Sequence, residues 1–300
     1  MKEINIKKVG VAGAGAMGAQ IAAVSALHGY EVILQDISSE SLKKAEEVLR
    51  TQLEKRVIKG KLTREDVDCA FSNLIFTTNL EAFKEVDIVI EAIIEDLEVK
   101  KSLFAQLDHL LPEHCILATN SSTIVSSKLA EAVVRKDKVC NIHFFNPVLV
   151  MDLVEVVKGP HTADETADTS MKFIETIGKT PVLLKKEISG FVANRILAKL
   201  MNEAVYLYEN GYASFEEIDV VVEKALGHPI GPFALMDLTG LDVNYAVRKQ
   251  RYSESGDEAD KPAKSVKEKV EKGELGRKTG KGWYTYDAQG KRVVSETIKQ

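Results

Sequence analysis

His143 closes one apolar run, Glu155 lies inside the next, and an Asn146-Pro147 turn separates them. A reversible proton transfer near neutral pH needs an imidazole held by a carboxylate, which fixes the tautomer and stabilises the imidazolium as it forms. If the two runs form a hairpin centred near Leu149, six residues on either side place His143 across from Glu155. An isolated His and Glu more often form an ordinary satisfied core pair. The rest of the chain has to decide between those uses.

The elements that would position such a pair begin at the N-terminus. Lys8 to Ala12 reads as a buried strand feeding Gly13-Ala14-Gly15-Ala16-Met17-Gly18, a GxGxxG string. Ala19 to His28 has helical apolar spacing and Gly29 fits a helix stop, so a second strand, Glu31 to Gln35, ends at Asp36. In that setting Gly13 permits the tight turn, Gly15 lets the backbone approach a pyrophosphate, and Gly18 lets helix pack on strand. The helix N-terminus then favours the anion. Asp36, eighteen residues past Gly18, can accept both hydroxyls of an adenosine ribose and would repel a 2′-phosphate. The expected cofactor is therefore NAD, against the alternative of a nucleotide-free domain with a Gly-rich turn.

Further strands are expected at 74–77, 86–90, 116–118, 138–142 and 180–184, alternating with helices at 38–59, 91–110 and 163–177. Pro181 places the last strand at a sheet edge. The strand at 116–118 delivers Thr119 to Thr123 to the carboxyl edge of the sheet, where such folds bind ligands; these residues could equally cap a helix. Near residue 188 the pattern changes. Helices are expected over 191–209, 214–226 and 232–248, an exposed loop over 253–262, and a last strand-like run at Trp283 to Tyr286. The fold class is α/β: a Rossmann-type dinucleotide-binding domain, 1–187, followed by an all-α domain, 188–300. Its many apolar helix positions point to a homodimer.

Composition narrows the partners. A net charge of -5 supplies no field for non-specific nucleic-acid binding. Cys69, Cys115 and Cys140 are odd in number and lack metal-ligand spacing, so neither disulfides nor a metal is expected, and reduced thiols suit a cytoplasmic protein. No apolar run reaches a membrane span, and Met1 to Ile4 runs into a strand pattern without room for a targeting peptide.

Taken together, GAGAMG, TNSST, HFFNP, LVEVV, GFVANR, GHPIGPFALMD, GLD and LGRKTGKGWY, in this order over nearly the whole chain, resemble the 3-hydroxyacyl-CoA dehydrogenase family, most its short-chain bacterial 3-hydroxybutyryl-CoA branch. The resemblance implies NAD-dependent interconversion of (S)-3-hydroxyacyl-CoA and 3-oxoacyl-CoA by a homodimer that pairs through its C-terminal domain. His143 would be the base, Glu155 its partner, Ser122 a hydrogen-bond donor to the substrate oxygen, and Asn194 a substrate-holding residue. Asp36, Glu95, Lys100, Ser122, Asn146 and Lys278 match cofactor-contacting positions, and Lys59 falls near a lysine that meets coenzyme A phosphates. Each has a plainer use: Lys100 as a helix partner of Asp96, Asn146 in its turn, Lys59 and Lys278 as solvated cations. A same-family dehydrogenase of a free hydroxy compound such as a sugar acid or carnitine, and a catalytically silent NAD-binding protein, are the alternatives. The chain departs from the family at Ser189, where proline is usual, at Asp152, where lysine is usual, at Leu149, often proline, and in a link from Pro181 to Gly190 one residue longer.

Overall fold

A computed structural model describes residues 6–293, so the start at Met1 to Ile4 lies outside the described residues. The chain forms two compact units that divide between Val192 and Ala193.

The first unit contains β1 (Lys8–Ala12), α1 (Ala16–Leu27), β2 (Glu31–Gln35), α2 (Ser39–Ile58), α3 (Arg64–Ser72), β3 (Leu74–Thr77) and β4 (Ile88–Glu91). It continues through α4 (Leu97–Leu110), β5 (Ile116–Thr119), α5 (Ser126–Ala130), β6 (Val139–Phe144), β7 (Leu153–Val157), α6 (Asp164–Thr176) and β8 (Thr180–Leu184). The strands make one sheet in the order β3-β2-β1-β4-β5-β6-β7-β8. All neighbours pair parallel except β6 and β7, which run antiparallel with His143 opposite Glu155. Because β4 and β5 are buried along their whole length, each reads as an apolar run closed by one polar residue, whereas β6, equally buried, carries Asn141 and His143 at alternate positions. Separate apolar clusters cover the sheet, one around Ile21, Leu34, Leu49 and Ile142, the other around Phe83, Phe104, Leu117 and Val139. β8 lies at the edge, as its proline requires.

Two local expectations are corrected, and one helix stands where none is expected. Helix α4 starts at Leu97, not Glu91, because the Asp96 carboxylate caps it by accepting the Val99 N–H, while Glu91 ends β4. The segment after Lys61 folds as α3, started by a reciprocal cap between Thr63 and Asp66. The proposed 232–248 helix is broken by Gly240, whose φ of 99° has no place in a right-handed helix.

The second unit is helical: α7 (Ala193–Glu209), α8 (Phe215–Ala225), α9 (Pro232–Thr239), α10 (Leu241–Ser255) and α11 (Lys264–Glu271). Thus α10 runs into the stretch expected to be loop, and Trp283 to Tyr286 makes only isolated bridges at Thr285 and Tyr286. That aromatic run is instead tied to helices by two buried acids. Asp237 accepts the N–H groups of Trp283 and Tyr284 and the Tyr286 hydroxyl. Asp219 accepts the N–H groups of Phe233 and Ala234 and the Tyr284 hydroxyl. Burial raises the pKa of both carboxyls against these bonds. Among the described residues no helix is long and apolar enough to cross a membrane.

Candidate active site

Strands β1 and β4 are neighbours although α1, β2, α2, α3 and β3 lie between them in sequence, so the strand order reverses there and opens a crevice at the carboxyl ends of the strands. The glycine turn sits in that crevice. Gly13 has φ 103°, and a Cβ on it would stand 2.6 Å from the Ala92 carbonyl oxygen. A Cβ on Gly18 would overlap the Gly13 carbonyl oxygen, so helix and turn touch backbone to backbone. Gly15 is different: it is exposed, and a Cβ there would meet nothing within 4 Å. It caps α1 without a side-chain bond, no acid stands in the first turn, and exposed Ala16 and half-buried Met17 follow. The helix end therefore offers N–H groups and a positive end of its dipole to an open space.

Asp36 faces the same space. Its carboxylate accepts the Ala14 N–H at 2.8 Å and the Ser38 N–H at 2.9 Å, which fixes it beside the turn. Gly13, Gly15, Asp36, Ile37, Ile93 and Leu103 are among the residues lining a cleft of about 1250 Å³. Open backbone over Gly15, an anion-seeking helix end and a fixed carboxylate beyond it are what an unphosphorylated dinucleotide requires, so these residues fit NAD.

Glu91 is a residue the sequence did not single out. It is fully buried, and its oxygens accept the Ile93 N–H at 2.8 Å, the Thr119 hydroxyl at 2.7 Å and the Lys100 ammonium at 2.5 Å. Lys100 is equally buried and reaches Glu95 at 3.3 Å; it does not pair with Asp96, which is engaged in capping. Burying both charges costs several kcal/mol per ion, which only close geometry and full hydrogen bonding offset. Glu95 in turn accepts hydroxyls from Ser121 and, at 2.6 Å, Thr123. Burial pushes its carboxyl pKa up, but those hydroxyls and Lys100 outweigh it and hold the pKa low. Between them stands Ser122, half-buried, its hydroxyl without a partner among the described residues. Asn120, accepting the Phe144 N–H, and Asn141, donating to the Ile124 carbonyl, fasten this loop to β6.

β6 carries His143 to the same edge of the sheet. The ring is buried, Nδ1 lies 2.9 Å from Glu155 Oε2, and Glu155 Oε1 accepts the Val192 N–H at 3.0 Å. With an ionised Glu155 as acceptor, Nδ1 carries the proton and Nε2, which has no hydrogen bond among the described residues, presents its lone pair. Phe145 and Phe191 flank the imidazole with centroids at 4.5 and 5.4 Å. The following turn, which contains exposed Asn146 and a cis Asn146-Pro147 bond, is pinned from two sides. Arg56 donates to the Leu149 carbonyl, and Lys179 donates to those of Val148 and Met151. Burial lowers the Lys179 pKa, while the charge of Asp152 opposes that shift; the unusual acid therefore stands in the field of a half-buried lysine. Ser189 donates to the Thr123 carbonyl at 3.4 Å.

Thus one unit gathers the glycine turn, Asp36, Glu95, Lys100, Ser122, His143 and Glu155. Lys59 is the exposed C-cap of α2, its ammonium without a partner among the described residues. Asn194 and Lys278 belong to the second unit: Asn194 is half-buried in the first turn of α7, and Lys278 pairs with Asp242 at 2.6 Å. Among the described residues no cluster of His, Cys, Asp or Glu could hold a metal ion.

A doubly wound sheet with this turn and this buried imidazole–carboxylate pair defines an NAD-dependent oxidoreductase. The description "3-hydroxyacyl-CoA dehydrogenase, NAD binding domain" matches residues 8–188, and the C-terminal domain of the same family matches 190–286. The chain belongs to the 3-hydroxyacyl-CoA dehydrogenase family. It is 41% identical over 280 residues to a 3-hydroxybutyryl-CoA dehydrogenase of Clostridioides difficile, covering 93% of this chain and 99% of that one. A probable 3-hydroxybutyryl-CoA dehydrogenase of Bacillus subtilis is 38% identical, over 95% and 99% of the two chains. The crystal structure of an (S)-3-hydroxybutyryl-CoA dehydrogenase from Ralstonia eutropha superposes with a TM-score of 0.88 at 40% identity, covering 94% of this chain and 100% of that one.

Proposed function

We propose that the protein catalyses reversible, NAD-dependent oxidation of short-chain (S)-3-hydroxyacyl-CoA to 3-oxoacyl-CoA, with His143 as the proton-transferring group. The buried His143–Glu155 pair carries this reading. His143 Nε2 takes the proton of the 3-hydroxyl, and Glu155 stabilises the imidazolium through Nδ1. Ser122 donates its uncommitted hydroxyl to the reacting oxygen, and Asn194 helps hold the substrate. The nicotinamide ring, when bound, supplies the hydride acceptor. In the reverse direction the imidazolium returns its proton to the same oxygen. Asp36 takes the adenosine ribose, Gly13 to Gly18 the pyrophosphate, and Glu95, Lys100, Asn146 and Lys278 complete the cofactor contacts. Lys59 meets the phosphates of coenzyme A.

The assay that tests the substrate is NADH oxidation with 3-oxoacyl-CoA thioesters of graded length beside the corresponding free acids. Turnover is expected with the thioesters, highest at short chain length. Turnover of free acids alone would replace the acyl-CoA reading by one of a free hydroxy compound.

We further assign residues 1–187 to cofactor binding and 188–300 to a helical dimerisation domain of a cytoplasmic protein. The second unit leaves Ile196, Tyr206, Tyr212, Val220, Val221 and Leu226 exposed, an apolar load that a partner subunit would cover. Sedimentation at micromolar protein is expected to give twice the chain mass; a monomer there rejects the assignment.

A further inference from the structure

We propose that Phe191 is a positioning residue for the His143–Glu155 pair, acting through both its ring and its backbone. The proposal rests on the proton-relay reading above and extends it to a residue outside the relay.

Among the described residues Phe191 is the one non-glycine position with positive φ, at 45°. A left-handed conformation is unfavourable for a residue with a Cβ, and glycine would occupy it without that cost. A bulky aromatic there persists only where its surroundings over-determine it. Packing alone is a thin reason. Phe191 is fully buried, yet it lies outside both main clusters of the first unit, in a small group with Val157, Leu184 and Val125.

What the conformation achieves is specific to the pair. Gly190, at φ 77°, and Phe191 turn the backbone in succession, and the Phe191 N–H closes on the Ile188 carbonyl at 3.0 Å. The next amide, that of Val192, then points at Glu155 Oε1 at 3.0 Å. One oxygen of Glu155 is thereby held by backbone while the other faces His143 Nδ1. The Phe191 side chain turns to the other member: its ring stands 5.4 Å from the imidazole, tilted by 54°. With Phe145 at 4.5 Å it restricts rotation of the imidazole, keeping Nε2 free and Nδ1 on the carboxylate. One strained residue thus constrains both partners, which neither the ring nor the amide would do alone.

Two variants separate these parts. Phe191→Leu keeps apolar volume and the left-handed demand but removes the ring; Phe191→Gly removes the ring and relaxes the backbone. Both are expected to lower kcat by about 10- to 100-fold, the loss that follows slight misplacement of a reacting group, with KM for NAD unchanged. The nitrogen-15 shifts of the His143 imidazole are expected to move from a single Nδ1–H tautomer in the parent to a mixture in the variants. A merely structural role would leave those shifts in place in the folded fraction. Parental kcat in folded Phe191→Leu, or lost kcat with unaltered nitrogen shifts, overturns the proposal. Should neither variant fold, amide exchange at Val192 in the parent decides: slow exchange supports the amide–Glu155 bond, and exchange at the rate of an open loop removes it. If His143→Gln is inactive and Phe191→Leu is normal, only this proposal fails; if His143→Gln turns over normally, the relay reading itself fails.

Discussion

Replacing His143 by glutamine is expected to lower kcat in both directions by about 10³-fold, within the range that general acid–base catalysis contributes. Glutamine matches the imidazole in reach, and its amide can still donate to Glu155 Oε2, so the β6–β7 pairing that holds the position need not change. What it lacks is a lone pair of useful basicity. The residual rate would come from Ser122 and from the proximity of the bound reactants. Cofactor affinity is expected to stay at the parental value, because the cleft containing Gly13, Gly15 and Asp36 does not include His143 among its lining residues. Fluorescence titration with NADH beside steady-state rates checks both halves. A variant that keeps a tenth or more of the parental kcat would remove His143 from the proton transfer.

The His143–Glu155 pairing was legible because an antiparallel register is arithmetic: two apolar runs about one turn define which residues face each other. The dinucleotide turn was legible for a related reason, since strand, glycine string, helix, strand and acid follow one another without interruption. The Glu91–Lys100 pair was hidden. Nine residues separate its members, Glu91 closes an apolar strand, and Lys100 sits in a helix where a nearer acid, Asp96, offered itself. The start of α4 was misplaced for a different reason. Residues 91–96 continue the apolar pattern of the strand, so only the capping role of Asp96 marks the boundary. Phe191 could not be read from sequence, because nothing local distinguishes an aromatic held left-handed from one beginning a helix. Trp283 to Tyr286 alternates like a strand yet finds no ladder; Asp237 takes up the Trp283 and Tyr284 N–H groups that a sheet partner would have engaged, and Asp219 and Asp237 hold the Tyr284 and Tyr286 hydroxyls.

Alanine at Gly13 and at Gly15 should separate what the fold needs from what the cofactor needs. At Gly13 two penalties coincide. The residue has φ 103°, which an L side chain rarely adopts, and the new Cβ would stand 2.6 Å from the Ala92 carbonyl oxygen, a backbone atom that cannot turn aside. A strained conformation of about 1–2 kcal/mol and an overpacking cost of about 1–3 kcal/mol together predict a lower urea midpoint as well as weaker NADH binding. Gly13 also donates to the Gln35 carbonyl at 2.7 Å, so any shift that relieves the clash pulls on the end of β2 and on Asp36 next to it. Gly15 carries neither penalty: its φ of -69° suits any residue, and its Cβ would project into open space. The Gly15→Ala midpoint is therefore expected to equal the parent's. Its NADH affinity is expected to fall by about tenfold or more, as about 1.4 kcal/mol of lost contact requires, because the methyl fills the approach to the free N–H groups of α1. Parental affinity in Gly15→Ala would mean that the dinucleotide does not cross this helix end, whatever Gly13→Ala does to stability.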